Sequence, residues 1–320
     1  MLGSAQPLND AAFAAAEAAA AAPSTRSASV AKLPLAGTPP AAPAVPARRR
    51  PRRRAPAWLQ GRGFAWLCGL VSIGSVLLAW HLATHYRLEA YVRFGNIPTP
   101  AAVLDKVMEL NQSPKFVTNI GISLRRILLG FAAATLLGVA LGLLIGRYRL
   151  VRLLSFPALE VFRPIPAIAW VPMSIMLWPD NEVSIVFITF LGAFFPILLN
   201  TMHGVEAIDP VLLRAARSLG AGERSVLAEV VLPGALPHIF TGLAVGMGVA
   251  WVSLIAAEMI SGQFGIGYFT WEAYSLISYA EIALGMITIG VLGLLCSGAI
   301  RLLARAAMPW QAHAATGGRR

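Results

Sequence analysis

Residues 209–233 read DPVLLRAARSLGAGERSVLAEVVLP and lie between two long apolar segments. Asp209 followed by Pro210 is typical of a helix start, with the aspartate as N-cap and the proline at the first helical position. Gly220 is typical of the residue that ends a helix in a left-handed conformation. A second helix is predicted to begin near Glu223 and to stop before Pro233. The stretch therefore predicts two short helices joined by a sharp glycine turn.

Each of these two helices is predicted to have an apolar side. In the first helix, Arg214 and Arg217 face away from the apolar residues Leu212, Leu213 and Ala216. In the second helix, the apolar side consists of Val226, Leu227, Val230 and Val231. A connection that only had to be solvated would need neither helix caps nor apolar sides. We therefore expect the whole connection, about residues 204–238, to be an ordered element that docks onto another protein.

The composition of the whole chain excludes a purely soluble protein. Of its 320 residues, 57% are hydrophobic and only 13% are charged, whereas about a quarter of the residues in soluble domains are charged. A helix needs about 20 mainly apolar residues to cross a membrane. The sequence therefore predicts an all-α, polytopic membrane protein with six spans, at about residues 64–83, 120–146, 154–178, 183–203, 239–260 and 282–304.

The third of these spans is the least regular, because it contains three prolines and an arginine, Pro157, Arg163, Pro164 and Pro166. In the second span, small residues recur every four positions and predict close packing against another helix. These small residues are Gly130, Ala134, Gly138, Gly142 and Gly146. Gly242, Gly246 and Ala250 repeat the pattern in the fifth span.

The two ends of the chain differ in composition from this membrane domain, which is predicted to extend over residues 57–310. Residues 1–56 are rich in Ala, Pro and Arg and are predicted to be a disordered tail, and residues 311–320 form a short C-terminal tail. The connections at 179–182 and 261–281 contain no Lys or Arg, whereas arginines are frequent at the opposite ends of the spans. The positive-inside rule then predicts that both termini are cytoplasmic. The net charge of +11 does not indicate nucleic acid, because most arginines flank apolar segments and fit a lipid bilayer.

Few side chains in the spans are candidates for chemistry. Glu258 ends the fifth span, where an ionisable group is costly unless it faces water, a pathway or a partner. We expect either a solvated interfacial carboxylate or part of a translocation path, in which Asn200, Thr201 and Ser253 are the other candidate residues.

Other classes of site are not favoured. His81 and His85 would share a helix face, but no third metal ligand accompanies them, so no metal site is predicted. The sequence contains no P-loop pattern and no legible Ser/His/Asp arrangement. We therefore expect no catalytic residue and no cofactor in this chain.

The order Arg214-Ala215-Ala216, Gly220, Val230-x-Leu232-Pro233 resembles the EAA loop of ABC-transporter permeases. That pattern is Glu-Ala-Ala, three residues, Gly, nine residues, Ile-x-Leu-Pro, and every spacing matches. Arg214 replaces the glutamate, so the resemblance does not imply the contact that the family's glutamate side chain makes, and Val230 replaces the isoleucine. The resemblance implies a loop that couples the chain to an ATPase through Arg214, Ala215, Ala216, Gly220, Ala221, Gly222, Glu223, Val230, Leu232 and Pro233.

Over residues 95–310 the chain resembles the nitrate/sulfonate/taurine branch of binding-protein-dependent importers. Residues 163–166 and 195–201 match this branch, and residues 256–259 and 265–268 are more similar to its nitrate or bicarbonate members. The resemblance implies a permease subunit in a bacterial inner membrane, with two copies, ABC ATPase subunits that bind the ATP, and a periplasmic substrate-binding protein as partners. The implied cargo is a small oxyanion, with nitrate first and a sulfonate, taurine or bicarbonate as alternatives.

Two other classes of membrane protein remain as alternatives. An intramembrane enzyme would need convergent polar groups, which the uncharged second, fourth and sixth spans lack. An ion channel would explain six helices but not the paired helices at Gly220.

Overall fold

The computed structural model describes residues 62–86, 96–111 and 113–310, so the predictions for the two terminal tails lie outside the described residues. The described part is helical and contains no strand, which confirms the all-α prediction. Its helices are α1 (Arg62–His85), α2 (Pro100–Asn111), α3 (Pro114–Arg147), α4 (Arg149–Phe162), α5 (Val171–Leu177), α6 (Asn181–Glu206), α7 (Pro210–Ser218), α8 (Glu223–Ser261), α9 (Ile266–Ser275) and α10 (Tyr279–Ala307).

Among the described residues, five helices are long and apolar enough to cross a membrane, namely α1, α3, α6, α8 and α10. The predicted third span, at 154–178, is not one continuous helix. It consists of the second half of α4, a break at residues 163–166, a 3₁₀ turn at Ala167–Trp170, and α5. Pro164 and Pro166 explain the break, because proline cannot donate a backbone hydrogen bond and disfavours helical geometry in the preceding residue.

Helix α6 lies at the centre of the core, packed between α3 and α8. The glycines of α3 allow the backbones of α3 and α6 to approach each other closely. A Cβ atom added at Gly142 would lie 2.7 Å from the Cβ atom of Thr201 in α6, and one added at Gly146 would lie 2.8 Å from that of Val205. On the other side of α6, a Cβ added at Gly246 of α8 would lie 2.9 Å from Ile197 Cγ1. The predicted role of both small-residue stripes in helix packing is confirmed.

Helix α8 continues through Pro233, so the prediction that its first part stops before this proline is wrong. Residues Val226–Val231 form a π-helical turn, in which the Leu232 amide donates to the Leu227 carbonyl five residues earlier. Such a turn changes the hydrogen-bond register next to a residue that cannot donate. As a result, the second helix of the predicted docking element and the fifth span form one continuous helix from Glu223 to Ser261.

Candidate functional site

The first part of the site is the knob, which we define as residues 209–225. The Asp209 side chain accepts a hydrogen bond from the Val211 amide at 2.8 Å, which caps α7 at its start. Gly220 has a φ of +84°, and the Ala221 amide donates to the Ala216 carbonyl at 3.1 Å across the turn. This is the Schellman geometry in which a left-handed glycine ends a helix. The sequence predictions for Asp209 and Gly220 are confirmed.

One side of α7 packs onto the start of α8. Leu213 and Ala216 contact an apolar cluster whose buried members include Val226 and Val231. Leu212 was predicted to share this side, but 56% of its surface is exposed, so that prediction is wrong. The knob is therefore held against α8 by its inner face and leaves an outer face free.

A carboxylate also ties the knob to α3. Glu223 accepts a hydrogen bond at 2.7 Å from Arg217 in α7 and another at 2.7 Å from Arg147 at the end of α3. The Arg147 side chain is only 15% exposed. Because exposed pairs are worth little, the packed contact with Arg147 is the stronger restraint. A displacement of the knob would therefore pull on α3 as well as on α8.

The remaining residues predicted for the coupling loop lie around this knob. Arg214, Ala215, Gly220, Gly222 and Leu232 are exposed, whereas Ala216, Ala221, Val230 and Pro233 are partly buried. The structure thus brings the motif residues onto one projecting element and its base. Their role in contact with an ATPase stays a prediction.

The second part of the site is a cavity of about 480 Å³ beside α6. Its polar lining comes from Arg163, Asn200 and His203. Asn200 donates to the Pro196 carbonyl at 2.8 Å, which leaves its amide oxygen and a second N–H group for other contacts. Arg163 pairs with Glu160 at 2.9 Å, and both side chains are about half exposed. Such an exposed pair is weak, so the guanidinium remains available to an anion in the cavity.

The four residues predicted to line a path do not lie on one surface. Asn200 lines the cavity. Thr201 is fully buried and packs against Gly142 of α3, and Ser253 packs against Gly192 of α6. Glu258 is also fully buried. Of the four, only Asn200 lines this cavity, and the other three side chains fill contacts between helices. Their role in a translocation path stays a prediction.

Glu258 belongs instead to a buried cluster of charged and polar groups around Arg126 of α3. Its carboxylate accepts hydrogen bonds from Arg126 at 2.9 Å and from the Ser123 hydroxyl at 2.8 Å. The Arg126 side chain is only 2% exposed. It also forms a bidentate ion pair with Glu182 at the start of α6 and donates a hydrogen bond to the Phe264 carbonyl. The expectation of a solvated Glu258 at the interface is wrong.

The same cluster holds the start of α9. The amides of Gly265, Ile266 and Gly267 donate to Asn119, Ser123 and Glu258, respectively, at 2.9–3.0 Å. Gly265 has a φ of +112°, and the Glu258 carboxylate lies where a Cβ atom would stand. Three amides at a helix start suit a negative charge. The cluster thus joins α3, α6, α8 and α9 at the end of the bundle opposite the knob.

Sequence reasoning missed this cluster because it considered Glu258 by itself and did not pair it with Arg126. A signal was present, since Arg126 and Glu258 are opposite charges at the same end of two mainly apolar helices. The sequence alone does not pair them, because they are 132 residues apart.

The predicted absence of a metal site concerns His81 and His85. Their rings are stacked with centroids 5.7 Å apart. In the described parts of the chain, no group of three or more His, Cys, Asp or Glu side chains is placed to hold a metal ion.

Comparison with known proteins identifies the family. Residues 134–311 match the model of the family described as "Binding-protein-dependent transport system inner membrane component". The chain is similar to the nitrate import permease of Synechocystis sp., with 34% identity over 67% of this chain and 82% of that protein. It is equally similar to the taurine transport system permease of Escherichia coli, with 34% identity over 67% of this chain and 80% of that protein.

A crystal structure of an amino acid ABC transporter with histidines has the same fold, with a TM-score of 0.50, 19% identity, and coverage of 62% of this chain and 97% of that one. The folds agree, and the relatives are named as permease subunits rather than as enzymes. The chain therefore belongs to the inner membrane components of binding-protein-dependent transport systems, as the permease subunit of an ABC importer.

Proposed function

We propose that this permease carries a small oxyanion, with nitrate first, across the inner membrane, and that the cavity at Asn200 is part of its route. The cavity combines a cationic group, Arg163, with the side chains of Asn200 and His203, and no carboxylate lines its described wall. Nitrate needs only hydrogen-bond donors and positive charge. Taurine carries an ammonium group in addition to its sulfonate, and that group would need an anionic acceptor. This difference supports nitrate over taurine, although relatives of both names are equally similar to the chain.

The orientation and assembly of the chain are part of the same proposal. Both termini lie on the cytoplasmic side, together with the knob, Arg147 at the end of α3 and Arg224 at the start of α8, which agrees with the positive-inside rule. Two copies of the chain form the pathway, since one chain supplies one knob and each of the two ATPases receives one. The cluster around Arg126 then lies at the periplasmic end, where the substrate-binding protein delivers the anion.

ATP binds to the partner ATPase subunits and not to this chain. Each knob sits in a groove of one ATPase, and closure of the two ATPases on ATP brings the two knobs together. The movement reaches the bundle along the continuous helix α8 and through the contact of Glu223 with Arg147 of α3. The bundle thereby alternates between outward-open and inward-open states, in which the cavity at Asn200 opens toward the cytoplasm.

The experiment is uptake of ¹⁵N-nitrate into proteoliposomes that contain the permease with its ATPase, with the binding protein outside and ATP inside. We expect ATP-dependent uptake that excess unlabelled nitrate inhibits and excess taurine does not. Arg163→Gln should lower the uptake rate about tenfold, since a hydrogen bond to a charged group contributes roughly 1.5–3 kcal/mol.

Arg152→Gln is the matched control, because Arg152 pairs with Glu206 and does not line the cavity. Its rate should stay near that of the wild type. ATP-dependent uptake of taurine without uptake of nitrate would contradict the proposed substrate.

A further inference from the structure

The outer face of α7 combines exposed apolar side chains with one arginine. Val211 and Leu212 are 54% and 56% exposed, and Leu219, at the end of the helix, is 89% exposed. Arg214 is exposed on the same helix, three residues from Val211, so that the two lie on neighbouring turns of one face. An exposed apolar surface rimmed by polar groups is typical of a protein interaction site.

The knob's other α7 arginine already has a partner within the chain. Arg217 pairs with Glu223, which also contacts Arg147. Within the described residues, the Arg214 guanidinium takes part in no hydrogen bond or ion pair. Its backbone carbonyl accepts a hydrogen bond from the Ser218 hydroxyl, which leaves the charge of the side chain unpaired. Arg214 therefore carries a positive charge that nothing in this part of the chain neutralises.

Docking would remove this charge from water. When Val211, Leu212 and Leu219 enter an apolar groove, the neighbouring guanidinium is desolvated with them. A buried charge is costly unless it is paired and hydrogen-bonded. A carboxylate is the acceptor whose two oxygens match the guanidinium fork.

From this juxtaposition we propose that the groove receiving the knob is apolar and carries a carboxylate opposite Arg214. This inference rests on the proposed docking to an ATPase and adds the chemistry of the partner surface. The charge arrangement is the reverse of that implied by a glutamate at this position, so an ATPase with a basic residue there would be a poor partner for this chain.

The test uses Arg214→Lys and a water-soluble carbodiimide, which joins a lysine amine to a carboxylate that it touches. The variant is purified with the ATPase that accompanies the wild-type chain, treated, and digested for mass spectrometry. We expect an amide between position 214 and an Asp or Glu of the ATPase. In the matched Arg217→Lys variant, the amide should form within the chain, to Glu223, because Arg217 lies 2.7 Å from that carboxylate.

Charge reversal provides the second arm. Arg214→Glu should reduce the co-purified ATPase at least tenfold, and replacing the cross-linked carboxylate by Arg should restore it. Arg305→Glu, at an exposed arginine of α10 outside the knob, should have little effect. A stable complex without a cross-link from position 214, or equal losses in both reversal variants, would overturn the inference and leave docking intact. Failure of the wild-type chain to retain any ATPase would overturn the proposed docking as well.

Discussion

Glu258→Gln should destabilise the chain strongly, although the two side chains have nearly the same shape. The wild-type carboxylate is fully buried and accepts hydrogen bonds from Arg126, Ser123 and the Gly267 amide. In the variant, one carboxylate oxygen becomes an N–H donor that faces other donors. Arg126 would also lose its buried counter-charge.

The expected loss follows from these contacts. Removing one partner of a buried ion pair costs roughly 3–5 kcal/mol. Arg126 keeps its pair with Glu182 and its bond to the Phe264 carbonyl, so we expect a somewhat smaller loss than this, about 2–4 kcal/mol in the free energy of unfolding. Even 2 kcal/mol corresponds to about a 30-fold change in an equilibrium constant.

The assay is reversible unfolding of the purified protein by sodium dodecyl sulfate, combined with hydrogen exchange. Because three amides at the start of α9 are held by the cluster, their exchange should accelerate about 30-fold or more in the variant. Glu229→Gln, which replaces an exposed carboxylate of the same helix, should change the free energy of unfolding by less than about 0.5 kcal/mol. Equal stability of the Glu258 variant and the wild type, with unchanged exchange at α9, would refute the reasoning.

Gly220→Val should leave membrane insertion intact but uncouple ATP hydrolysis from uptake, since a β-branched residue at a φ of +84° is strained by about 1–3 kcal/mol. Gly222→Val is its control for the added side chain without backbone strain, because Gly222 has a φ of −70° and equally open surroundings. Full uptake by the Gly220 variant would count against the coupling role. Cysteines placed in residues 262–278 should react with an impermeant reagent from the periplasm and a cysteine at Gly222 from the cytoplasm, and reaction of both from one side would exclude the proposed orientation. Gly142→Leu should prevent α3 from packing on α6 and greatly reduce the yield of folded protein, whereas Gly121→Leu, with open space around it, should be tolerated in the same size-exclusion assay.

The local features of this fold could be predicted from the sequence because they depend on neighbouring residues. The aspartate cap, the left-handed Gly220 and the small-residue stripe of α3 each act over a few positions of the chain. The expectation that a helix stops before a proline failed at Pro233. A π turn at residues 226–231 accommodates this proline, and the same turn packs against α7. A proline excludes one hydrogen bond but does not decide how the helix accommodates its loss.

The tertiary features could not be predicted for a different reason. The cluster around Arg126 joins residues 56 and 132 positions apart, and nothing local in the sequence pairs them. Likewise, Asn200 and Thr201 are adjacent in sequence, yet they lie on different faces of α6, one at the cavity and one against α3. Which face meets a neighbour depends on how α3 and α8 pack around α6.

The central claim is that this chain works as a pair of permease subunits coupled to ATPases through the knob. Native mass spectrometry of the complex, purified gently from membranes through a tag on this chain, tests the claim most directly. We expect one assembly with two copies of the chain and two copies of a P-loop ATPase, from which the ATPase is lost when residues 210–222 are replaced by a flexible linker. A chain that is isolated without an ATPase, or an ATPase that remains bound after this replacement, would contradict the claim.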